Sequence, residues 1–449
     1  LAVVEVSVQR WTGTGQEAEA DASADPPVGA GASADPPGAP SAGAGTAAVR
    51  TAAAAAAPNA AAAPNRRLSV VLVTDYYPVH GGGLEIVAGQ LATRLASSAD
   101  IRWFAAGGPG TLAQPGLTLR PMRCWNGLER RLGLPVPIVS PRSLAAVSGA
   151  SRAADVVWVH DLIYLANLVA ALRAIAARKP LVVTIHVGAI PYRSRVVRAI
   201  MAAAIALTGR LILRRAAGVA FVSERVKGEF LARWRLHRPS LIANGVDFAT
   251  FKPLPDADRR RVRAELRLGD RPVVLFVGRF VERKGLALLK QLAARMSDVE
   301  WVFAGKGPLD PVAWDLPNVH VERGRSGASL AELYGAADLL VLPSLGEGFP
   351  LVVSEALAAG IPALVDPSTI AGCPDVESVA AGESVLGCDA ADRWERRIRA
   401  ILADDPGRAS AAARRVEFAR GHWDWDRAAV EYVRLFAEVM NSSTAARRG

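Results

Sequence analysis

The chain has 449 residues, about half of them apolar, with a net charge of +10 and three cysteines. That length allows two or three domains, each able to bury a core. Cys124, Cys373 and Cys388 are too scattered for a disulfide framework or a zinc site, which points to a reduced, cytoplasmic setting, and no apolar run reaches the roughly 20 residues of a membrane helix. The positive charge is local: residues 66–240 hold 24 Lys and Arg against 8 Asp and Glu, while the flanking regions are net acidic. No recognition motif or basic–aromatic repeat accompanies it, which argues against nucleic-acid binding.

Residues 1–65 consist mainly of Ala, Gly, Pro, Ser and Asp, with a near-repeat (ASADPPVGAG, then ASADPPGAP). Such a segment has too little bulky apolar surface to offset ordering entropy and is expected to be disordered. It opens on Leu1, which points to a fragment or an alternative start. LAVVEV carries Glu5 and no basic region, unlike a secretory signal.

From Leu68 the pattern changes. LSVVLVT reads as a buried strand and Leu84–Ala96 as an amphipathic helix, with HGGGLE between them. IRWFAA, VVWVH, PLVVTIH, GVAFVS and SLIAN are further strand candidates. Helix-period stretches cover Ile163–Ala176, Val196–Arg214 and Glu224–Trp234. This alternation implies parallel strands joined by crossover helices. A looser, charged stretch follows, Phe251 to Asp270. The alternation then restarts with RPVVLFVG, a helix over Gly285–Met296, WVFAG, NVHVE, a helix over Leu330–Ala337, DLLVLP, a helix from about Val352, and IPALV. The economical reading is α/β: two Rossmann-like, doubly wound domains facing a cleft. Their expected limits are 66–245 and 272–422, with a link over 246–271. A final helix, Trp425–Met440, lies within 423–449 and is expected to pack back on the first domain.

Several loops carry chemistry. In PSLGEGFPLVVSEALAAG, Glu347 falls after a buried strand and Glu355 about one turn into the next helix. Ligands of open parallel sheets collect at strand carboxyl ends and helix N-termini, where two carboxylates can accept from sugar or ribose hydroxyls. The alternative is a surface loop with a helix-start Glu favoured by the dipole. GRFVERKG places Arg279 and Lys284 at another strand end, as a fork donor and a point charge that can neutralise a diphosphate. HGGGLE fits either phosphate contact or tight packing, and it is not GxGxxG. AGKGP is a further glycine turn. His186 ends PLVVTIH, where it can bond a substrate or act in acid–base chemistry; His160-Asp161 reads the same way more weakly. Asn244 lies in IANGVDFATFKP, an interdomain link by its texture. No Asp-x-Asp metal motif stands in these loops.

These pieces, in this order, resemble the retaining glycosyltransferases of family 4, which have the GT-B fold. HGGGLE, FVSE, NGVDFATFKP, VGRFVERKG, FAGKGP, YGAADLLVLPS and EGFPLVVSE carry the resemblance over about residues 68–440. It implies an EC 2.4 enzyme that moves a hexose-type sugar from a nucleotide diphosphate sugar, UDP- or GDP-linked, to an unidentified acceptor (glycan, lipid-linked or small molecule). The donor would sit in the second domain and the acceptor in the first, with no tightly bound cofactor and no metal required.

The catalytic residues it implies are Arg279, Lys284, Glu347 and His186. Arg279 and Lys284 would stabilise the leaving diphosphate, Glu347 would contact the transferred sugar, and His186 would lie near its C6 hydroxyl. The implied donor contacts are Gly82, Gly83, Asn244, Gly278, Gly305, Gly348, Phe349, Pro350, Leu351 and Glu355, with Glu355 on the nucleotide ribose. Front-face attack is implied rather than a carboxylate nucleophile. Two departures stand out. Pro350 replaces a common Gly, and STIAGCPDVES lacks the usual Gly-Gly turn. A sugar phosphorylase or a nucleotide-sugar epimerase of the same fold is the rival reading.

The basic surplus bears on the acceptor. Arg120, Arg123, Arg130, Arg131 and Arg142 flank Trp125. Arg193, Arg195 and Arg198 follow His186, with Arg210, Arg214 and Arg215 beyond. This pattern fits an anionic or membrane-associated acceptor and a protein peripheral on the inner face of a membrane, or else biased composition alone.

Overall fold

A computed structural model describes residues 66–112, 114–125, 137–188, 195–403 and 408–448. The segment expected to be disordered, 1–65, lies outside the described residues, as do Arg130, Arg131 and Arg193.

The first domain begins with β1 (Leu68–Tyr76), β2 (Ala99–Ala106) and β3 (Leu117–Met122), then a short antiparallel ribbon of β4 (Cys124–Trp125) and β5 (Ile138–Val139). β6 (Val156–His160), β7 (Leu181–Ile185), β8 (Gly218–Phe221) and β9 (Pro239–Leu241) complete a seven-stranded parallel sheet, ordered β3-β2-β1-β6-β7-β8-β9. Helices cover both faces, so the central strands are apolar throughout rather than alternating. The period of two still sorts the side chains. Val70 and Leu72 pack with Trp103 and Trp158 on one face, and Val71 and Val73 with Val157 and Val159 on the other.

The second domain repeats the plan. β10 (Val273–Val277), β11 (Glu300–Ala304), β12 (Val319–Glu322), β13 (Leu339–Leu342), β14 (Ala363–Val365) and β15 (Ala381–Gly382) form a parallel sheet ordered β12-β11-β10-β13-β14-β15. In each sheet the order reverses once, at β1/β6 and at β10/β13. The loops leaving those strands diverge there and open a crevice at the carboxyl edge. HGGGLE follows β1 and His160-Asp161 ends β6. GRFVERKG follows β10, and the loop of Glu347 follows β13.

The structure corrects several expectations. The charged stretch read as loose contains a helix, Asp256–Glu265. Asp256 and Asp258 complement its N-terminal dipole. Arg259 and Arg263, one turn apart, both bind the buried Asp338 carboxylate, at 2.7 and 3.2 Å. That partner is remote in sequence, so local pattern could not supply it. Helices over Pro141–Ala153, capped by Ser140, and over Ala390–Ala403 and Arg408–His422 add to the elements expected from sequence. Around STIAGCPDVES, Pro367–Ile370 is one helical turn and Pro374–Ser378 a 3-10 turn.

The last helix runs Trp425–Arg448, beyond Met440, and lies on the first sheet. There the Tyr432 hydroxyl and Thr184 Oγ1 are 2.8 Å apart, and Trp158 Nε1 donates to the same Oγ1 at 2.9 Å. Among the described residues no helix is long and apolar enough to cross a membrane.

Candidate active site

The second domain builds its half of the site from two loops that lock together. β10 and β11 are followed directly by Gly278 and Gly305, with φ of 156° and 154°. A Cβ on Gly305 would lie 1.9 Å from the Gly278 carbonyl oxygen, so the two turns touch through bare backbone. Phe280, fully buried, pegs the β10 loop into the core. A 3-10 turn, Glu282–Lys284, then ends on Gly285, which abuts the carbonyl of Pro343 at the start of the β13 loop.

This packing sets Lys284 Nζ 2.8 Å and Arg283 Nη1 3.1 Å from Glu347 Oε1. Lys284 and Glu347 are shielded to about the same degree (11% and 12% exposed), while Arg283 reaches in from a more open position, 37% exposed. Burial pushes the Glu347 carboxyl up, but the charges of Lys284, Arg283 and Arg225 outweigh it and hold the group below its ordinary value. Glu347 is therefore an ionised acceptor with two cations already on one of its oxygens. Arg279, by contrast, is exposed, and no ion pair among the described residues engages it. It stands at the mouth of β10 with its charge uncommitted.

Glu355 sits on the helix Leu351–Ala358, whose first turn follows Pro350. Its Oε2 accepts the Tyr334 hydroxyl at 2.8 Å. Burial pushes its carboxyl up to about 7, and the Tyr334 bond only partly offsets this. Phe349 is buried and its ring packs 5.0 Å from Trp423, so its side chain anchors the turn in the core. Only its backbone is left for a ligand.

The first domain contributes a buried polar cluster. His186 is 8% exposed, and its Nε2 lies 2.8 Å from His160 Nδ1. Its backbone N–H donates to Asp161 Oδ1 at 2.8 Å, and Asp161 holds a left-handed φ of 60° to receive it. Burial pushes the Asp161 carboxyl up to about 7 and raises Asp75, with Glu85 adding to both. Asp75 is the penultimate residue of β1, and Glu85 lies in the first turn of the helix Gly83–Leu95. Gly82 caps that helix with an ordinary φ of −83°, and a Cβ on Gly83 would meet nothing within 4 Å. The left-handed residue of this loop is Gly81.

The two halves meet at Gly348. A Cβ there would lie 2.0 Å from the His186 carbonyl oxygen. Beside it, Arg225 of the first domain donates to the Glu347 carbonyl, and the Glu224 N–H donates to the Gly372 carbonyl at 3.0 Å. The Glu347-Gly348 turn is thus seated directly on the end of β7.

Among the residues expected from sequence, Lys284, Glu347, Gly348 and His186 come together, Gly278 touches Gly305, and Glu355 follows on the adjoining helix. Asn244 is buried just before Val246, whose N–H bonds the Trp423 carbonyl. Arg283, Arg225, Tyr334 and Asp75 are not among the residues expected from sequence. Arg283 stood beside Lys284 in the same motif and Tyr334 lay within YGAADLLVLPS. Nothing local marked Arg225 or Asp75, whose partners are far away in the chain.

Residues 81–250 match the glycosyltransferase family 4 and residues 258–420 match the group 1 glycosyl transferases. An alpha-D-kanosaminyltransferase of Streptomyces kanamyceticus is 32% identical over 166 residues, covering 32% of this chain and 41% of that protein. A D-inositol 3-phosphate glycosyltransferase of Mycolicibacterium paratuberculosis is 31% identical over 226 residues, covering 47% and 50%. The chain therefore spans half or less of the length of these curated relatives. The crystal structure of Anabaena HepE in complex with UDP and glucose superposes with a TM-score of 0.66 at 19% identity, over 82% of this chain and 98% of that one. That likeness establishes the GT-B fold.

Proposed function

Because the chain belongs to the family 4, group 1 glycosyltransferases, we propose that it moves a hexose-type sugar from a nucleoside diphosphate sugar to an acceptor hydroxyl with retention of anomeric configuration. The observation that carries this reading is the cationic pair Lys284 and Arg283 on the Glu347 carboxylate, at the switch point of the second sheet and against His186. In this reading Arg279 and Lys284 take the diphosphate and supply the neutralisation that a metal gives elsewhere. Glu347 accepts from hydroxyls of the transferred sugar and Glu355 from the ribose. The bond between C1 and the diphosphate oxygen breaks. The acceptor oxygen bonds C1 on the same face, and its proton passes to the departing phosphate.

A thermal-shift panel of UDP, GDP and ADP on wild type and Arg279→Ala tests the donor half. One diphosphate is expected to raise Tm selectively, and the shift should vanish in the variant, whose exposed side chain contributes little to the fold. No shift with any nucleotide on folded protein would favour a phosphorylase instead.

Glu355 gives a pH signature. With its carboxyl at about 7, the proton stabilises the folded, empty protein at low pH, and that contribution fades as pH rises through about 7. Ribose hydroxyls donate, so they select the ionised form. Nucleotide affinity should therefore increase as pH rises through about 7, with proton release on binding. Calorimetry in buffers of different ionisation enthalpy measures that release, and Glu355→Gln should abolish it.

For the acceptor, the reading places the first domain on an anionic membrane. No Asp or Glu lies between Asp161 and Glu224, while nine Lys and Arg do. Within that stretch, the helix Arg195–Ile212 turns Ile200 and Leu207 outward, 61% and 62% exposed, with Leu211 a turn further on. Apolar side chains on the solvent face, flanked by Arg198, Arg210 and Arg214, suit an interfacial helix. The protein should sediment with vesicles containing phosphatidylglycerol at low salt and not with phosphatidylcholine alone. Ile200→Ser with Leu207→Ser should release it, and retention by that variant would refute the surface.

A further inference from the structure

His186 does not act from an isolated ring. Its contact with His160 joins the ends of β7 and β6, with N···N 2.8 Å, centroids 5.0 Å apart and ring planes inclined by 22°. The centroid separation is close to the N···N distance plus one ring radius on each side. The imidazoles therefore meet edge to edge and nearly coplanar, the geometry of a linear hydrogen bond. Burial disfavours the charged form of both rings, and His186 adds to the effect on His160, so each is neutral with a single ring proton.

Two arrangements satisfy this contact. Either His160 Nδ1–H donates to His186 Nε2, or His186 Nε2–H donates to His160 Nδ1. They differ at His160 Nε2, which is buried and which no polar group among the described residues reaches. The second arrangement puts an N–H there, a buried donor without an acceptor. The first leaves only an unfilled lone pair. Orphaned buried donors are the rarer and costlier case. The frame around the pair is fixed as well. Asn167 Nδ2 donates to the His160 carbonyl, and Asp161 holds the His186 amide.

We propose that His160 is a positioning residue that donates its Nδ1 proton to His186 and so fixes His186 as the tautomer protonated on Nδ1. His186 then presents an N–H and no lone pair on its remaining nitrogen. For its consequence, this rests on the reading of His186 as a sugar-facing residue. In that role it is a hydrogen-bond donor to a hydroxyl oxygen of the transferred sugar, not a base. A donor sugar lacking that oxygen leaves the N–H unmatched, which makes the pair a source of sugar discrimination.

The chain has six histidines, so long-range proton–nitrogen correlation spectra of the full protein are tractable, with His186→Gln and His160→Gln assigning the two rings. The expected spectrum shows a protonated Nδ1 and an unprotonated Nε2 on both rings. In His160→Phe, the His186 pattern should shift toward Nε2 protonation. A protonated Nε2 on His186 in wild type overturns the proposal, as does a pattern indifferent to His160→Phe. Should that variant unfold, the wild-type spectrum still decides the tautomer. In turnover, His160→Phe should lower kcat by about tenfold on the natural sugar and much less on its deoxy analogue, with nucleotide diphosphate affinity unchanged. Equal losses on both sugars beside the expected spectrum would overturn the sugar-facing reading of His186 and leave the tautomer standing.

Discussion

Lys284→Ala is expected to lower kcat by about two to three orders of magnitude, the usual cost of removing one preorganised donor to a developing anion. The side chain is buried against Glu347 at 2.8 Å, so its charge acts in a shielded site where it counts for more than in water. The loss has two parts that can be separated. Without Lys284, Arg283 at 3.1 Å is the nearest cation left on the Glu347 carboxylate, and burial then lifts that carboxyl toward neutrality. Stability should fall for that reason alone, because breaking a shielded pair strands its partner. Lys284→Ala combined with Glu347→Gln removes the stranded charge. The double variant should regain much of the lost Tm, while its kcat stays low because it lacks Glu347 as well. Steady-state kinetics beside thermal denaturation reads both quantities. If Lys284→Ala kept its turnover at temperatures where it stays folded, Lys284 would be a structural residue.

Gly348→Ala is expected to cut kcat/KM by about a hundredfold or more while leaving Tm nearly unchanged. The new methyl would sit 2.0 Å from the His186 carbonyl oxygen, and that neighbour is backbone at the end of a buried strand, which cannot swing aside. The cheapest relief is to draw the two domains apart. Each domain keeps its own core, so the fold survives. The site does not, since a displacement of about 1 Å between positioning groups can cost about a hundredfold. Small-angle scattering should show a larger radius of gyration than wild type. Gly305→Ala provides the contrast. Its methyl would meet Gly278 within the second domain, at a φ of 154°, so it should lower Tm outright. Near-normal activity in Gly348→Ala would mean that this seating is not the productive one.

Much of this architecture could be read in advance because its signals are local. Runs such as VVLV and VVLFV are buried on both faces of a parallel sheet and need no alternation. The helices between them repeat every three to four residues, and glycine turns punctuate strand ends. Glu347, Lys284 and Arg279 were legible for the same reason: each lies a few residues after a recognisable strand, and strand carboxyl ends are where such sheets bind ligands. The helix Asp256–Glu265 was not legible. Its composition is that of a solvated loop, and it is held by Arg259 and Arg263 on Asp338, more than seventy residues away.

The sequence by itself determined the two alternating strand–helix domains, the basic character of the first, and which strand ends carry charge, because each depends on neighbours within about a dozen residues. Only the tertiary structure decided which of those ends face one another. It committed Lys284 to Glu347 while leaving Arg279 exposed, laid Gly348 on His186, and paired His186 with His160. Strand order and domain closure set those contacts, and both arise from packing between segments that no local pattern connects.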